Sequence, residues 1–375
     1  MKKYLLLCLV NLIMVGFMGC SVPLSDGGST TDTNAAVSDT VYSDSLTVES
    51  QKEPSQPQQS IPSQQESEPI ETFSIKLSFA GDVMLANFKN QDIAGGFNQY
   101  ADKKEPSYFF EKVESAFKHD DFTVVNLENV FTDNELEEVE KDHDPAYWFC
   151  SKTSNAKILT AGGIEGVSLA NNHTGDYGNK GYTDTINAVK KAGLEYGTYT
   201  KTMYYEKNGY KIAIICCGLW RANHTAGVIS QIKKESEKTD YQIIYFHGGK
   251  ERIYEPEEWK IEASHQLIDN GADLVIGNHP HVLQPREIYK NKEIIYSLGN
   301  FCFGGNRKPL NRTIIYQMDL TVEQETLNLK DSASKIIPCY VYTGNVNNYQ
   351  PAIVEDGEIK QKILDFMDWK IDSPN

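Results

Sequence analysis

The chain contains no CxxC pair, no block of clustered lysine and arginine, and no internal repeat of solenoid length. It also lacks an apolar run of the about 20 residues that a membrane-spanning helix needs. Each absence removes a class of function. Seven cysteines without CxxC spacing give neither a full disulfide framework nor a thiolate zinc site. Cys216 and Cys217 lie in an apolar run and read as core residues. With 36 basic against 52 acidic residues, the net charge is −16, and nothing basic is concentrated enough to attract nucleic acid as the main partner. A phosphate substrate stays open, because a bound metal would supply the positive charge.

What is present begins with Lys2-Lys3, an apolar run from Tyr4 to Met18, and Gly19-Cys20-Ser21. A basic start, an apolar stretch and a small residue before the cut describe a secretory signal. Phe17-Met18-Gly19-Cys20 resembles a bacterial lipobox. That resemblance implies a lipidated Cys20 at the mature N-terminus and a lipid anchor at the extracellular face of the cytoplasmic membrane. Residues 21–71 are Ser, Thr, Gln, Pro and acids, with Lys52 the sole basic residue. Such a segment buries too little to offset its ordering entropy and reads as a disordered tether. The expected organisation is a signal at 1–20, a tether at 21–71 and one domain at 72–375. That last part, about 300 residues, suffices for a single large α/β domain.

Within the domain, strand-like runs alternate with helical ones, the grammar of βαβ units. Ser74–Ala80 reads as a strand ending at Gly81-Asp82, and Phe122–Leu127 as one ending at Glu128. Gly166–Ala170 runs into Asn171-Asn172-His173-Thr174-Gly175-Asp176, where an amide, an imidazole and a carboxylate crowd one loop. Ile243–Phe246 ends at His247. Leu274–Ile276 ends at Gly277, and His279-Pro280-His281 follows, with proline stiffening the loop. Helices are expected over 108–117, 180–192, 228–238, 256–270 and 359–369 from apolar spacing and terminal Gly or Pro. Asn208-Gly209 and Asn291-Lys292 mark two hairpins. Residues 131–146 are acidic and aperiodic, a surface loop with a solvated His143, while His265 reads as a structural residue.

Five strand-like segments thus end in oxygen or nitrogen donors, with no thiolate among them. A parallel sheet brings such ends to one edge. Mixed carboxylate, amide and imidazole donors suit a divalent transition metal, Mn, Fe or Zn, better than Ca or Cu(I). A pair of ions would need a bridging carboxylate, for which Asp82 and Glu128 are the candidates.

The pattern resembles the bacterial CapA/PgsA capsule-synthesis (poly-γ-glutamate) family, related to calcineurin-like metallophosphoesterases. The matching pieces are Gly81-Asp82-Val83-Met84-Leu85, Asn126-Leu127-Glu128-Asn129, Ala170-Asn171-Asn172-His173 with Asp176-Tyr177-Gly178, and His247-Gly248-Gly249 with Glu251 and Pro256. Gly271 to Gln284 and Tyr296-Ser297-Leu298-Gly299-Asn300-Phe301 complete it. The resemblance implies a four-layer α/β/β/α metallophosphatase-like sandwich. It implies Asp82, Glu128, Asn172, His247, His279 and His281 as ligands of one or two ions, and His173, with Asp176 beside it, as the residue that protonates a leaving group. It departs at Met84, where the phosphoesterases have a histidine, and at Glu128, which replaces an aspartate, so one metal position is expected to be weak. Two roles follow: a surface subunit working with membrane-bound synthase or export proteins on an anionic polymer, or a secreted metal-dependent hydrolase of phosphoesters or amide-linked polymer. A metal-free binding protein on the same fold is the third reading, and the retained histidines argue against it.

Overall fold

The computed structural model describes residues 70–88, 95–306 and 308–375. The expected signal with Cys20, and the tether up to position 69, lie outside the described residues. The first strand opens at Thr72.

Two sheets face each other, and side-chain alternation along their strands shows why. Along Thr72–Met84, Ile75, Leu77 and Phe79 point into a core shared with Ile212, Ile214, Ile243, Tyr245 and Ile276 of the other sheet. Further along, Ala80 and Val83 lie in a second core with Phe109, Phe110, Leu159 and Val189. Along Tyr241–His247 the same alternation sends Ile244 and Phe246 into a third core with Val228, Ile232 and Leu267. A sheet buried on both faces needs near-continuous apolar strands, which is how these segments read. Three cores between four layers make the arrangement α/β/β/α.

The first sheet runs outward from the central strand Thr72–Met84. Phe122–Leu127, Gly166–Ser168 and Glu195–Gly197 follow in parallel on one side; Thr313–Glu323, Leu329–Tyr340 and Ala352–Ile353 follow antiparallel on the other. In the second sheet Tyr210–Gly218, Tyr241–His247, Leu274–Asn278 and Lys292–Leu298 are parallel, with antiparallel edges at Met203–Lys207 and Leu283–Tyr289. The helices Gly178–Lys191, Thr225–Glu235 and Glu258–Asp269 cover the outer faces. The closing helix Gly357–Met367 is capped by Asp356 and inserts Ile363, Phe366 and Met367 into the inter-sheet core.

Two sequence expectations are corrected, and one element had not been expected. The helix over 108–117 is broken into a 3₁₀ turn, Pro106–Phe109, and a short helix, Glu114–Phe117. Phe109, Phe110, Val113 and Phe117 are all buried, and Val113 leaves helical geometry at φ −123° between the two pieces. The second hairpin turns at Lys290-Asn291, both left-handed, one residue earlier than expected. A small three-stranded sheet of Asn87–Phe88, Val130–Phe131 and Phe149–Ser151 had no clear signal, because its strands are two or three residues long. The Asn208-Gly209 turn has both residues at positive φ, as a type I′ hairpin requires.

Backbone contact sets the position of Asp82. Its N–H donates to Gly299 O at 2.9 Å, and the chains approach so closely that a Cβ on Gly81 would lie 1.8 Å from the same oxygen. Gly299 itself has φ +74°. Gly81→Ala is expected to destabilise the fold by about 3 kcal/mol, because backbone and not a movable side chain must yield. Gly357→Ala, where a Cβ meets open space, should stay within about 0.5 kcal/mol of the parent. Urea midpoints measure both, and equal midpoints for the two variants would contradict this reading.

Candidate metal centre

The parallel strands of both sheets point their C-terminal ends to the same edge, and the donors gather there. Asp82 sits level with Asn126 and Asn300 on the adjoining strands. His247 ends its strand opposite Asn278, so His279 and His281 leave the next strand beside it. Asp82 and Glu128 are fully buried, His247 and His279 nearly so.

Glu128 is central. Neither carboxylate oxygen accepts a hydrogen bond. Its Oε1 faces three imidazoles: Nε2 of His247 at 3.3 Å, of His281 at 3.8 Å and of His173 at 4.0 Å. Glu128, His279 and His281 offer ligand atoms within 4.8 Å of one another. Nε2 of His247 lies 2.7 Å from Asn172 Oδ1 and 3.0 Å from His279 Nδ1. A single ring proton cannot serve all these neighbours, whereas a cation at their centre would. The donor set therefore fits a divalent metal.

Asp82 approaches the histidines from the other side. Its Oδ2 is 3.2 Å from Nδ1 of His281 and also accepts the His279 N–H; its Oδ1 accepts from Asn126 Nδ2 and lies 3.6 Å from Nδ1 of His247. A carboxylate on Nδ1 orients a ring whose Nε2 faces elsewhere. Asn300 Oδ1 reaches His281 Nδ1 at 2.9 Å. Neither Asn126 nor Asn300 was singled out as a site residue from sequence, although Asn126 stands two residues before Glu128 at the same strand end and Asn300 opens a short strand of its own.

The backbone is strained at the same place. His279 has φ +96° and His281 φ +57°. For non-glycine residues such positions cost on the order of 1–3 kcal/mol and persist where the surroundings impose them. A residue before proline ordinarily takes extended backbone. His279 departs from this while its N–H donates to Asp82.

Charge is divided to match. Burial alone would raise the Glu128 carboxyl, but His281 and His247 opposite it outweigh burial and hold it far below the usual carboxylate range. Burial opposes protonation of His281, yet Glu128 and Asp82 push it up to about 10. Burial, reinforced by His247 and His281, drives His279 well below its ordinary value, leaving it a neutral nitrogen donor.

Next to this group, His173 Nδ1 lies 2.9 Å from Asp176 Oδ2, which also accepts the Phe149 N–H. Lys141 reaches in from the acidic loop to Asp176 Oδ1 at 2.6 Å. Nothing in the sequence pointed to Lys141. Asn172 is exposed as a residue while its Oδ1 meets His247. Met84 is buried among Ala86, Phe149 and Phe303 and supplies apolar wall with no donor. Trp220 stands edge-on to His279, ring centroids 4.8 Å apart. His143 is exposed, and His265 pairs with Glu287 and stacks on Tyr289, away from this group. A cleft of about 610 Å³ opens over His173 and His281.

Residues 76–305 match the family described as bacterial capsule synthesis protein PGA_cap. The chain is 28% identical over 259 residues to the PGA biosynthesis protein CapA of Bacillus subtilis, covering 62% of this chain and 65% of that one. It is 29% identical over 258 residues to the capsule biosynthesis protein CapA of Bacillus anthracis, covering 62% and 61%. The match thus spans less than two thirds of the length of either relative. A solved structure described as a novel phosphatase, from Mycoplasma pneumoniae, aligns with TM-score 0.43 and 16% identity over 72% of this chain and 95% of that one. With the family match covering more than half of its length, the chain belongs to the bacterial capsule synthesis protein family.

Proposed function

We propose that this protein is a cell-surface component of the machinery that makes, exports or anchors an anionic capsule polymer of the poly-γ-glutamate kind, and that it carries a divalent-metal site of hydrolase type. The observation that carries the metal part is Glu128, a buried carboxylate facing three imidazoles without a hydrogen bond to either oxygen. Family membership supports the capsule part. Glu128, His279 and His281 would hold the ion, with His247 and Asn172 closing around it and Asp82 fixing ring orientation. When bound, such an ion supplies Lewis acidity and lowers the pKa of water.

The chain's own chemistry centres on His173. Asp176 accepts from Nδ1 and fixes the ring, which leaves Nε2, 4.0 Å from Glu128 Oε1, as the nitrogen of this cleft-lining residue that can present a proton. Lys141 and the Phe149 N–H hold Asp176 in turn. The buried dyad excludes water from the Nδ1 side, and the open cleft admits substrate to the Nε2 side. That is the geometry of a general acid beside an electrophilic centre. A secreted position, with Cys20 lipidated and the tether spanning to the domain, completes the proposal and places the site where membrane-bound synthase or export subunits deliver polymer.

Two measurements test it. In a deletion strain complemented with His173→Gln, surface polymer should fall by about 10²–10⁴-fold at unchanged protein level, the usual contribution of general acid catalysis. Wild-type output from that strain would remove His173 from the reaction. Separately, Cys20→Ala should abolish incorporation of labelled fatty acid and release the protein from the membrane fraction, since two acyl chains are what make such anchoring stable. Label retained by the variant would refute the anchor.

A further inference from the structure

Three adjacent parallel strands of the second sheet end side by side at the metal centre, with Gly218, His247 and Asn278 level across them. Two of these strands deliver imidazoles, His247 and, just beyond Asn278, His279. The third delivers an indole. Trp220 lies against both imidazoles, its ring centroid 4.8 Å from that of His279 and 5.8 Å from that of His247, at interplanar angles of 82° and 71°. His247 and His279 are themselves 4.7 Å apart, so the three rings form one cluster. The imidazoles are buried, whereas Trp220 is 37% exposed. It lines neither the cleft over His173 nor a second one, of about 780 Å³, that also reaches His173. Trp148 and Trp369 each give the indole N–H to a backbone carbonyl at 2.7 Å, but that of Trp220 has no such partner among the described residues.

Backbone contacts hold Trp220 in that place. Leu219 N–H donates to His247 O at 3.0 Å, and Leu219 O comes so close that a Cβ on Gly248 would lie 1.7 Å from it. Gly218 leaves room for the indole, since a Cβ there would stand 3.0 Å from Trp220 Nε1. The imidazoles differ in what holds them. A metal-ligating histidine ordinarily has its other ring nitrogen held by a hydrogen-bond partner, which fixes the ring. His281 Nδ1 has Asn300 and Asp82, His173 Nδ1 has Asp176, and His247 Nδ1 has Asn126 Nδ2 at 3.1 Å. The His279 ring has no partner of that kind. Its one hydrogen-bonding neighbour among the described residues is another ring of the centre, His247 Nε2 at 3.0 Å. Its backbone sits in the left-handed region as well. Packing must do for this ring what a hydrogen bond does for the others.

We propose that Trp220 is a positioning residue of the metal centre, an outer wall that fixes the His279 ring and shields His279 and His247 from water and competing ligands. The assignment rests on the metal reading given above. Trp220 touches neither substrate nor ion and acts through the two imidazoles. An apolar shell around a metal site controls solvent access, and rings at steep angles attract one another edge to face. The consequence is retention. With the indole in place, rotation of the His279 ring and entry of water on that flank are both blocked, so a bound ion leaves slowly. An aromatic ring is required at this position, and an alanine would open the flank while the backbone contacts of Leu219 stay as they are.

The test loads the detergent-solubilised full chain with Co²⁺ and follows release of the ion to excess chelator, with circular dichroism and urea midpoints as checks on folding. Trp220→Ala should release Co²⁺ about 10–100-fold faster than wild type, the usual cost of losing an outer partner of a metal ligand. Trp220→Phe keeps a ring and should release it at close to the wild-type rate. Trp369→Phe, at an exposed tryptophan on the closing segment, should leave the rate unchanged. Fluorescence gives a second readout that a merely structural role would not move. Co²⁺ should quench the indole emission of wild type, and Trp220→Phe should remove the larger part of that quenching. Equal release rates in wild type and Trp220→Ala overturn the proposal, as does quenching that survives intact in Trp220→Phe. A folded wild-type chain that takes up no Co²⁺ refutes the metal reading itself and this assignment with it, an outcome distinct from a loaded wild type with an unaffected variant.

Discussion

A fully buried carboxylate, with no hydrogen bond to either oxygen, organises this molecule. Burying an ionised carboxylate costs several kcal/mol unless charge and hydrogen bonds compensate. Glu128 has the charge compensation, in imidazoles at 3.3–4.0 Å, but not the directed bonds. The nearby strained backbone at His279 and His281 adds to the cost. Both are tolerated because the surroundings are rigid: two sheets locked through a shared core, and a direct bond between them from Tyr245 hydroxyl to Ala80 O at 2.6 Å, two residues from Asp82.

That rigidity comes from how the strands are arranged. Parallel strands in both sheets end at one edge, so donors far apart in sequence meet without any long loop having to be ordered around them. Asp82, Glu128, His247 and His279 each stand within a few residues of a strand end. Short crossings such as Asp82 N–H to Gly299 O set their positions through backbone, which side-chain motion cannot relax. The cleft side of the site is formed by His173, and Asn172 beside it is exposed.

Much of this was legible in the sequence because buried strands and their terminal donors are local patterns. Phe122–Leu127 is buried on both faces and is a strand with the expected bounds. Asn208-Gly209 carries its own turn geometry. What escaped was whatever depended on a distant partner. The 108–117 helix had the right spacing, but Phe110 and Phe117 both pack on Phe301 and Phe110 also lies against Gly162, while Phe109 turns to Phe97, and the segment bends between them. Lys141 sits in a loop whose composition reads as solvated, and only its ion pair with Asp176 gives it a task.

The central claim is that Glu128 faces a cation site, and the direct measurement is metal-dependent stability of full-length protein against Glu128→Gln, which keeps the shape and removes the charge. Elemental analysis and thermal unfolding would be run on both after purification without chelator and after titration with Mn²⁺ or Zn²⁺. A ligand that binds only the folded state stabilises it by about 2.7 kcal/mol at a hundredfold excess over its dissociation constant. The account predicts bound metal and a metal-dependent rise in midpoint for wild type, and neither for the folded variant. Equal metal content and equal shifts in the two proteins would contradict it.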